Sequence, residues 1–368
     1  MARQIINEEY RTTMSRPIRI GFIGAGWWAT EFQIPFFQAH PDVEVAAVCR
    51  LGQAELALVQ QRFAIPFATE DAALLAALDL DGIVIASPHT WHYPHAKLAL
   101  LAGKHVMIEK PMATRGAEAR ELVQLAARQQ RQILIPQGWS FTHYARAATR
   151  LVRSGTIGQV RHVVCQMASA LGDLFGGHGL SETEGATFRP PAATWADPQQ
   201  AGGYGWGQLC HALGLLFGIT GLEPQSVYAL MGASPSGADY YDAISMRCRN
   251  GATAVISGSA TIPKPQGAAH DRSKGYQIDL RVFGSDGMLL LDIERERCVI
   301  RRNDGQDHEI AMQPGDGDYP ATAPFTAFIE LCQGLPIENP APGEVGACAV
   351  EVLEAAYRSA AHGTVEVI

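Results

Sequence analysis

Several things are scarce in this chain, and each scarcity excludes something. Lysine occurs only at positions 97, 104, 110, 264 and 274 among 29 basic residues. Arginine therefore carries the routine surface charge, and a lysine in a special place stands out. The seven cysteines (49, 165, 210, 248, 298, 332 and 348) are scattered without a close pair. That excludes a disulfide framework or a cysteine zinc site and suits a reduced, cytoplasmic protein. No apolar run is long enough to span a bilayer, so no membrane partner is expected. Acids outnumber bases, 37 against 29, for a formal charge of −8, which argues against nucleic acid as a general partner. The first sixteen residues lack the apolar core and cleavage site of a secretory signal and carry Glu8 and Glu9. Residues 1–16 read as a polar extension, and Met14 is a candidate true start.

What is present is an ordinary globular composition, 47% hydrophobic and 18% charged over 368 residues, with length for two domains. The apolar strand Ile18 to Ile23 runs into Gly24-Ala25-Gly26-Trp27-Trp28-Ala29, a dinucleotide fingerprint with Ala in the third small position. Gly24 suits the tight turn, Gly26 lets the backbone approach a pyrophosphate, and Ala29 allows close helix–strand packing. A helix opening at Trp27 points its amide end at the phosphates. Pro35 is a local misfit, expected to kink that helix. The second strand, Val43 to Val48, ends in Cys49-Arg50-Leu51 with no acid for a ribose 2′-hydroxyl. Arg50 would accommodate a 2′-phosphate, which favours NADP over NAD; alternatively it stacks on the adenine and either cofactor binds.

Strand and helix continue to alternate as in a parallel sheet. Ile83 to Ala86 ends at Ser87-Pro88-His89-Thr90-Trp91-His92, and Tyr93 to Ala102 is helical. His89, His92 and His95 have a spacing that invites a metal, but no matching carboxylate or cysteine lies near. No metal is expected; they read as loop and helix-start residues beside the cofactor. The strand His105 to Ile108 then meets Glu109-Lys110 and is stopped by Pro111. In open α/β sheets that edge lines the ligand crevice. Taken alone, the pair reads equally as a charged strand end. Pro111 is a candidate for a cis bond.

The helix Arg115 to Arg131 and a last strand, Ile133 to Pro136, bring a Rossmann-type parallel-sheet domain to its end, so the boundaries are drawn at 17–137 and 138–368. In the second half, Val160 to Ala168 alternates like a strand. Asn250-Gly251 and Asp286-Gly287 mark tight hairpin turns. The fold class is therefore α/β: a Rossmann-type domain followed by an α+β domain with a mainly antiparallel, open-faced sheet. The stretch Leu171 to Trp195 reads as a long functional loop. Trp139, Tyr144, Trp195, Tyr204 and Trp206 are candidate stacking faces for a sugar ring. The glycine-rich run Ala201 to Gly207 leads into a helix from Gln208 to Phe217. Leu209, Leu213, Leu216 and Phe217 share one face of it, with His211 opposite.

Gly24-Ala25-Gly26, Ser87-Pro88 with His92, and Gly103-Lys104-His105-Val106 leading to Glu109-Lys110-Pro111 together resemble the Gfo/Idh/MocA family of oxidoreductases. The resemblance spans nearly all of residues 17–368. It implies NAD(P)-dependent chemistry on sugars, cyclitols and related polyols, with Lys110 beside the nicotinamide and the substrate hydroxyl. It implies that Ser87, Pro88, His92 and Glu109 line the cofactor pocket, and His89 stands where the family usually has Asn. His211 matches a family histidine that follows a Gly-Gly loop and an Asp. Here Gly207 takes that Asp place and Gly214 the place of another frequent Asp. In the resulting scheme Lys110 binds and polarises the reacting oxygen, His211 exchanges the proton, and Gln208 or Tyr204 fills the polar role near the substrate. Two other readings stand beside it. One is a redox-neutral glycoside-cleaving enzyme that holds NAD tightly and oxidises its sugar transiently before elimination. The other is a non-catalytic cofactor-binding sensor. Assembly as a homodimer or homotetramer is implied by the resemblance alone.

Overall fold

The computed structural model describes residues 16–180, 183–263 and 275–368. The polar extension up to residue 15, with Met14, lies outside the described residues.

The first sheet is six-stranded and parallel, in the order β3-β2-β1-β4-β5-β6. Its strands are β1 Ile18–Ile23, β2 Val43–Cys49, β3 Phe67–Thr69, β4 Gly82–Ile85, β5 His105–Ile108 and β6 Ile133–Leu134. Helices cover both faces, so β1, β2, β4 and β5 are almost continuous runs of buried Val, Ile and Ala. The register places Ile23 opposite Ile85 and Ile85 opposite Ile108. The fingerprint after β1, the Ser-Pro loop after β4 and the Glu-Lys pair after β5 therefore share one edge.

Pro35 falls where the helix after the fingerprint changes its winding. Ala29–Gln33 is wound as a π-helix, and an α-helix restarts at Ile34–Ala39 with Pro35 in its first turn.

The second sheet has nine strands in the order β14-β13-β12-β11-β7-β10-β9-β8-β15. They are β7 Val160–Ser169, β8 Pro224–Ala233, β9 Asp239–Cys248, β10 Thr253–Ser259, β11 Tyr276–Gly284, β12 Gly287–Asp292, β13 Arg297–Arg302, β14 His308–Ile310 and β15 Glu366–Val367. All neighbours are antiparallel except β7 and β10. Gly251 turns the β9–β10 hairpin with φ 85°. One face packs on the helices Cys210–Thr220 and Gly343–His362. The other leaves Tyr228, Leu230, Tyr241 and Val255 exposed.

The chain does not stay with the second sheet. After β14 the helix Ala323–Cys332 returns to the first one, where Phe325 and Phe328 meet Phe37 with ring centroids 5.9 and 6.3 Å away. The helix Gly343–His362 lies against Gly116–Gln129, tied by Arg120 Nη2 to Glu351 at 2.6 Å. Two sheets are thus bound by crossing helices that sequence periodicity alone does not assign to a partner. Among the described residues no helix is long and apolar enough to cross a membrane.

Candidate active site

A cavity of about 910 Å³ lies between the carboxyl edge of the first sheet and the second domain. Its size suits a cofactor together with a small substrate. Gly24 forms its base at φ 94°, and a Cβ there would stand 2.3 Å from the Ser87 amide. The fingerprint turn therefore presses directly on the Ser-Pro loop. A Cβ on Gly26 would meet nothing within 4 Å, leaving the backbone open to the cavity. Arg50 donates from Nη1 to the Ala25 carbonyl at 2.6 Å and lies 4.7 Å from the Phe188 ring centroid. Burial lowers its pKa. The long loop after β7 supplies Phe188, so residues near 188 close over the fingerprint.

The Ser-Pro loop is fastened by histidines. His92 is buried with Nδ1 2.6 Å from the Pro111 carbonyl and Nε2 2.7 Å from the Ser87 carbonyl. Two carbonyls would favour a doubly protonated ring. Burial wins and brings the pKa down to about 4, with Lys110 also opposing a second charge. His89 Nδ1 lies 3.0 Å from the Ala201 carbonyl, joining the loop to the glycine-rich run of the second domain. Burial lowers its pKa to about 3. His95 Nδ1 is 2.9 Å from Ser87 Oγ. Among the described residues no group of three His, Cys, Asp or Glu is arranged to hold a metal.

Glu109 and Lys110 do not pair as a surface ion pair; each reaches a different π-helical turn. Gln33, last residue of the first π-helix, donates from Nε2 to Glu109 Oε1 at 2.7 Å. Burial raises the Glu109 carboxyl to about 6, against the pull of Lys110 and its hydrogen bonds. Lys110 Nζ donates to the Gly207 carbonyl at 2.7 Å. Gly207 sits in the second π-helix, Gly205–Leu209, just before the helix Cys210–Thr220. Such turns recur at functional sites, where they re-aim single residues. The Lys110–Pro111 peptide is cis.

The two missing aspartates have physical replacements. A Cβ at Gly207 would lie 2.6 Å from Phe175 Cε1. A Cβ at Gly214 would lie on the amide of Gln137, whose Nε2 donates to the Cys210 carbonyl at 3.0 Å.

His211 and Gln208 both line the cavity with Lys110. The helix carrying His211 is buried on all sides from Cys210 to Ile219, so His211 does not sit on a solvent-facing stripe as its position opposite the leucines suggested. Among the described residues its Nδ1 is buried without a partner, as is Gln208 Oε1. Trp139 and Tyr319 meet the imidazole edge-on at 5.6 and 5.5 Å. Burial, then the nearby Lys110, lowers the His211 pKa well below the ordinary range, so the ring is not poised at neutral pH without tuning.

Tyr204 departs from its expected place. It is fully buried outside the cavity lining, and its hydroxyl accepts from Ser169 Oγ at 3.4 Å. Its ring lies in the core because the glycine-rich run turns inward there. Tyr144 and Trp206 are likewise absent from the lining, whereas Trp139 and Trp195 are part of it. Gln33, Phe175, Tyr276 and Tyr319 were not legible as site residues. Only Gln33 carried a sequence signal, being a polar residue one helix after the fingerprint.

Residues 18–136 match the family described as "Oxidoreductase family, NAD-binding Rossmann fold", and residues 145–290 match the "GFO/IDH/MocA C-terminal domain". The chain belongs to the Gfo/Idh/MocA family. Among its relatives in this family is a dTDP-3,4-didehydro-2,6-dideoxy-alpha-D-glucose 3-reductase of Streptomyces antibioticus. That enzyme is 28% identical over 319 residues, covering 82% of this chain and 85% of its own. The D-glucoside 3-dehydrogenase of Escherichia coli K12 is 32% identical over 148 residues, covering 40% of this chain and 42% of its own. A levoglucosan dehydrogenase solved with NADH and L-sorbose shares the fold at TM-score 0.72 and 16% identity, covering 96% and 99% of the two chains. As a Gfo/Idh/MocA oxidoreductase, the chain has residues that fit a dinucleotide. The blocked Gly24, the open Gly26 and the amide end at Trp27 form the phosphate cradle such a cofactor needs.

Proposed function

We infer that this protein is an NAD(P)-dependent dehydrogenase or reductase that moves a hydride at a secondary alcohol or ketone carbon of a sugar, cyclitol or glycoside. One observation carries the reading. Lys110 Nζ is held 2.7 Å from the Gly207 carbonyl on the cavity wall that also carries His211 and Gln208. An ammonium has three donors, so one anchors the lysine and two are left for a substrate oxygen. The bound nicotinamide supplies the hydride acceptor or donor. Lys110 grips the reacting oxygen and stabilises its developing negative charge. His211, kept neutral by burial and by Lys110, takes the hydroxyl proton during oxidation and returns it during reduction. Gln208 offers an acceptor for a neighbouring hydroxyl. Trp139 and Tyr319 fix the imidazole plane, and with Tyr276 they wall the reacting end against water.

The cofactor-binding residues on this reading are Gly24, Ala25, Gly26, Trp27, Trp28, Arg50, Ser87, Pro88, His89, His92, Glu109 and Lys110. No carboxylate ends β2, and Arg50, which follows it and lines the cavity, supports NADP over NAD. The exposed sheet face with Tyr228, Leu230, Tyr241 and Val255 supports assembly as a homodimer or homotetramer. The domain limits 17–137 and 138–368 for the dinucleotide and substrate halves belong to the same reading, and the free cysteines support a cytoplasmic location.

The testing experiment is a panel of sugars, cyclitols and glycosides assayed for cofactor reduction with NAD and with NADP. Net reduction with a polyol or sugar supports the reading. Glycoside cleavage with retained cofactor and no net reduction would transfer it to the redox-neutral class, and binding without any turnover would leave a sensor.

A further inference from the structure

Beneath the lysine's acceptor lies a pair of buried acids that the mechanism above does not use. Asp239 and Asp242 both stand on β9, where alternation with Ile244, Met246 and Cys248 turns Asp242 into the core. Asp239 has clear partners. Its Oδ2 accepts from the Gly205 amide at 2.7 Å, and its Oδ1 accepts from the Tyr357 hydroxyl at 2.7 Å. It thereby ties the first residue of the π-helical turn Gly205–Leu209 to the carboxyl-terminal helix, where Trp206 stacks on Tyr357 at 5.3 Å.

Asp242 is 2% exposed, and neither of its oxygens has a hydrogen-bond donor among the described residues. Asp239 on its own strand is the acidic group that acts on it. Among the described residues, Tyr204, before the π-turn, and Tyr357, on the carboxyl-terminal helix, are the other titratable groups facing it, and no basic side chain does. The neighbouring strands oppose it with Met231 and Gly258. The space around the pair is kept clear by glycine: a Cβ at Gly258 would come within 2.7 Å of Asp242 Oδ2, and one at Gly205 within 2.6 Å of the Tyr357 hydroxyl.

An isolated buried carboxylate without a donor is too costly to persist, and the group instead retains its proton. We propose that Asp242 is a protonated acid donating its hydrogen to Asp239, and that this pair is a positioning device for the active site. The third donor completes the carboxylate that caps Gly205. That cap fixes the turn, the turn fixes the Gly207 carbonyl, and the carbonyl fixes Lys110 Nζ. Burial and the neighbouring Asp239 both raise the Asp242 pKa, in accord with the retained proton. This inference rests on the assignment of Lys110 to the reacting oxygen only for its effect on turnover; the proton itself is tested separately.

The first test is infrared difference spectroscopy of the intact protein at neutral pH, comparing wild type with Asp242→Asn. A protonated-carboxyl carbonyl band present in wild type and missing in the variant is expected; its absence from wild type overturns the proposal. The second test compares turnover. Asp242→Asn keeps an N–H donor toward Asp239 and should retain kcat within about threefold, whereas Asp242→Leu, which has no donor, should lose about ten- to a hundredfold in kcat. Cofactor KM should be unchanged in both. The wild-type rate should fall at high pH as Asp242 loses its proton, and Asp242→Asn should lack that fall. Equal kcat and identical alkaline limbs in wild type and Asp242→Leu would overturn the positioning role. So would an Asp242→Asn that is as impaired as the leucine variant. Should Asp242→Leu fail to fold, Asp242→Asn with the infrared band still decides the matter.

Discussion

The ring of Phe175 occupies the space that any side chain at position 207 would need, with Cε1 only 2.6 Å from where a Cβ would stand. Phe175 comes from the loop after β7, and Gly207 from the π-turn that receives Lys110. The lysine therefore meets a backbone carbonyl where a carboxylate side chain was the expected neighbour. Gly207→Asp should be destabilised by about 1–3 kcal/mol from overpacking. Phe175→Ala should relieve that in the double variant. A double-mutant cycle by thermal unfolding measures the coupling. Additive effects would mean that the two positions do not compete for space.

Removing His211 tests the proton path. His211→Asn should lower kcat by about 10²–10⁴, the usual range for a general base. Its pKa is depressed, so the neutral ring persists below the ordinary histidine value and wild-type alcohol oxidation at saturating cofactor should hold its rate as pH falls through about 6.5. A plain titration of kcat at that value would place the proton on another group.

Glu109 gives a separate signature in cofactor binding. Its carboxyl is raised to about 6 by burial. Above that pH it is anionic and offsets Lys110 beside a cationic oxidised nicotinamide; below it the offset is lost. Oxidised cofactor should therefore bind more weakly as pH drops through about 6, followed by quenching of Trp27, Trp28 and Trp139. Glu109→Gln should bind weakly at all pH values with no such step. The stability linkage runs the opposite way: a carboxyl raised on folding contributes stability that is full below its unfolded value and is lost as pH rises through about 6.

Much of this was legible in the sequence because its causes are local. The fingerprint turn, the strand stopped by Pro111 and the hairpin at Asn250-Gly251 each depend on a few adjacent residues, whereas the β11–β12 hairpin turns at Ser285-Asp286 and Gly287, without a positive φ, opens β12. What was not legible depends on contacts distant in sequence. Pro35 signalled a kink, but a π-helix absorbs it and aims Gln33 at Glu109. His211 read as one side of an amphipathic helix, but the helix Gly343–His362 and the helix His143–Arg153 cover the rest. Tyr204 read as a sugar platform because it lies in a glycine run; that run turns its ring inward against Phe175 at 5.7 Å.

Arg50 is the proposed selector between the two cofactors. Arg50→Glu should raise the KM for NADP by about a hundredfold, the scale of losing a charge-assisted contact and adding repulsion, while the KM for NAD changes little. Equal effects on both cofactors would make Arg50 a support for the fingerprint loop through the Ala25 carbonyl, without a role in selection.

On the proposed mechanism Lys110, held by Gly207, grips the oxygen whose carbon exchanges the hydride. Single-turnover hydride transfer in Lys110→Met, with cofactor affinity measured on the same sample, tests it most directly. Cofactor binding within about threefold of wild type and a transfer rate lower by about 10²–10⁴ are expected. Hydride transfer at the wild-type rate in Lys110→Met would contradict it.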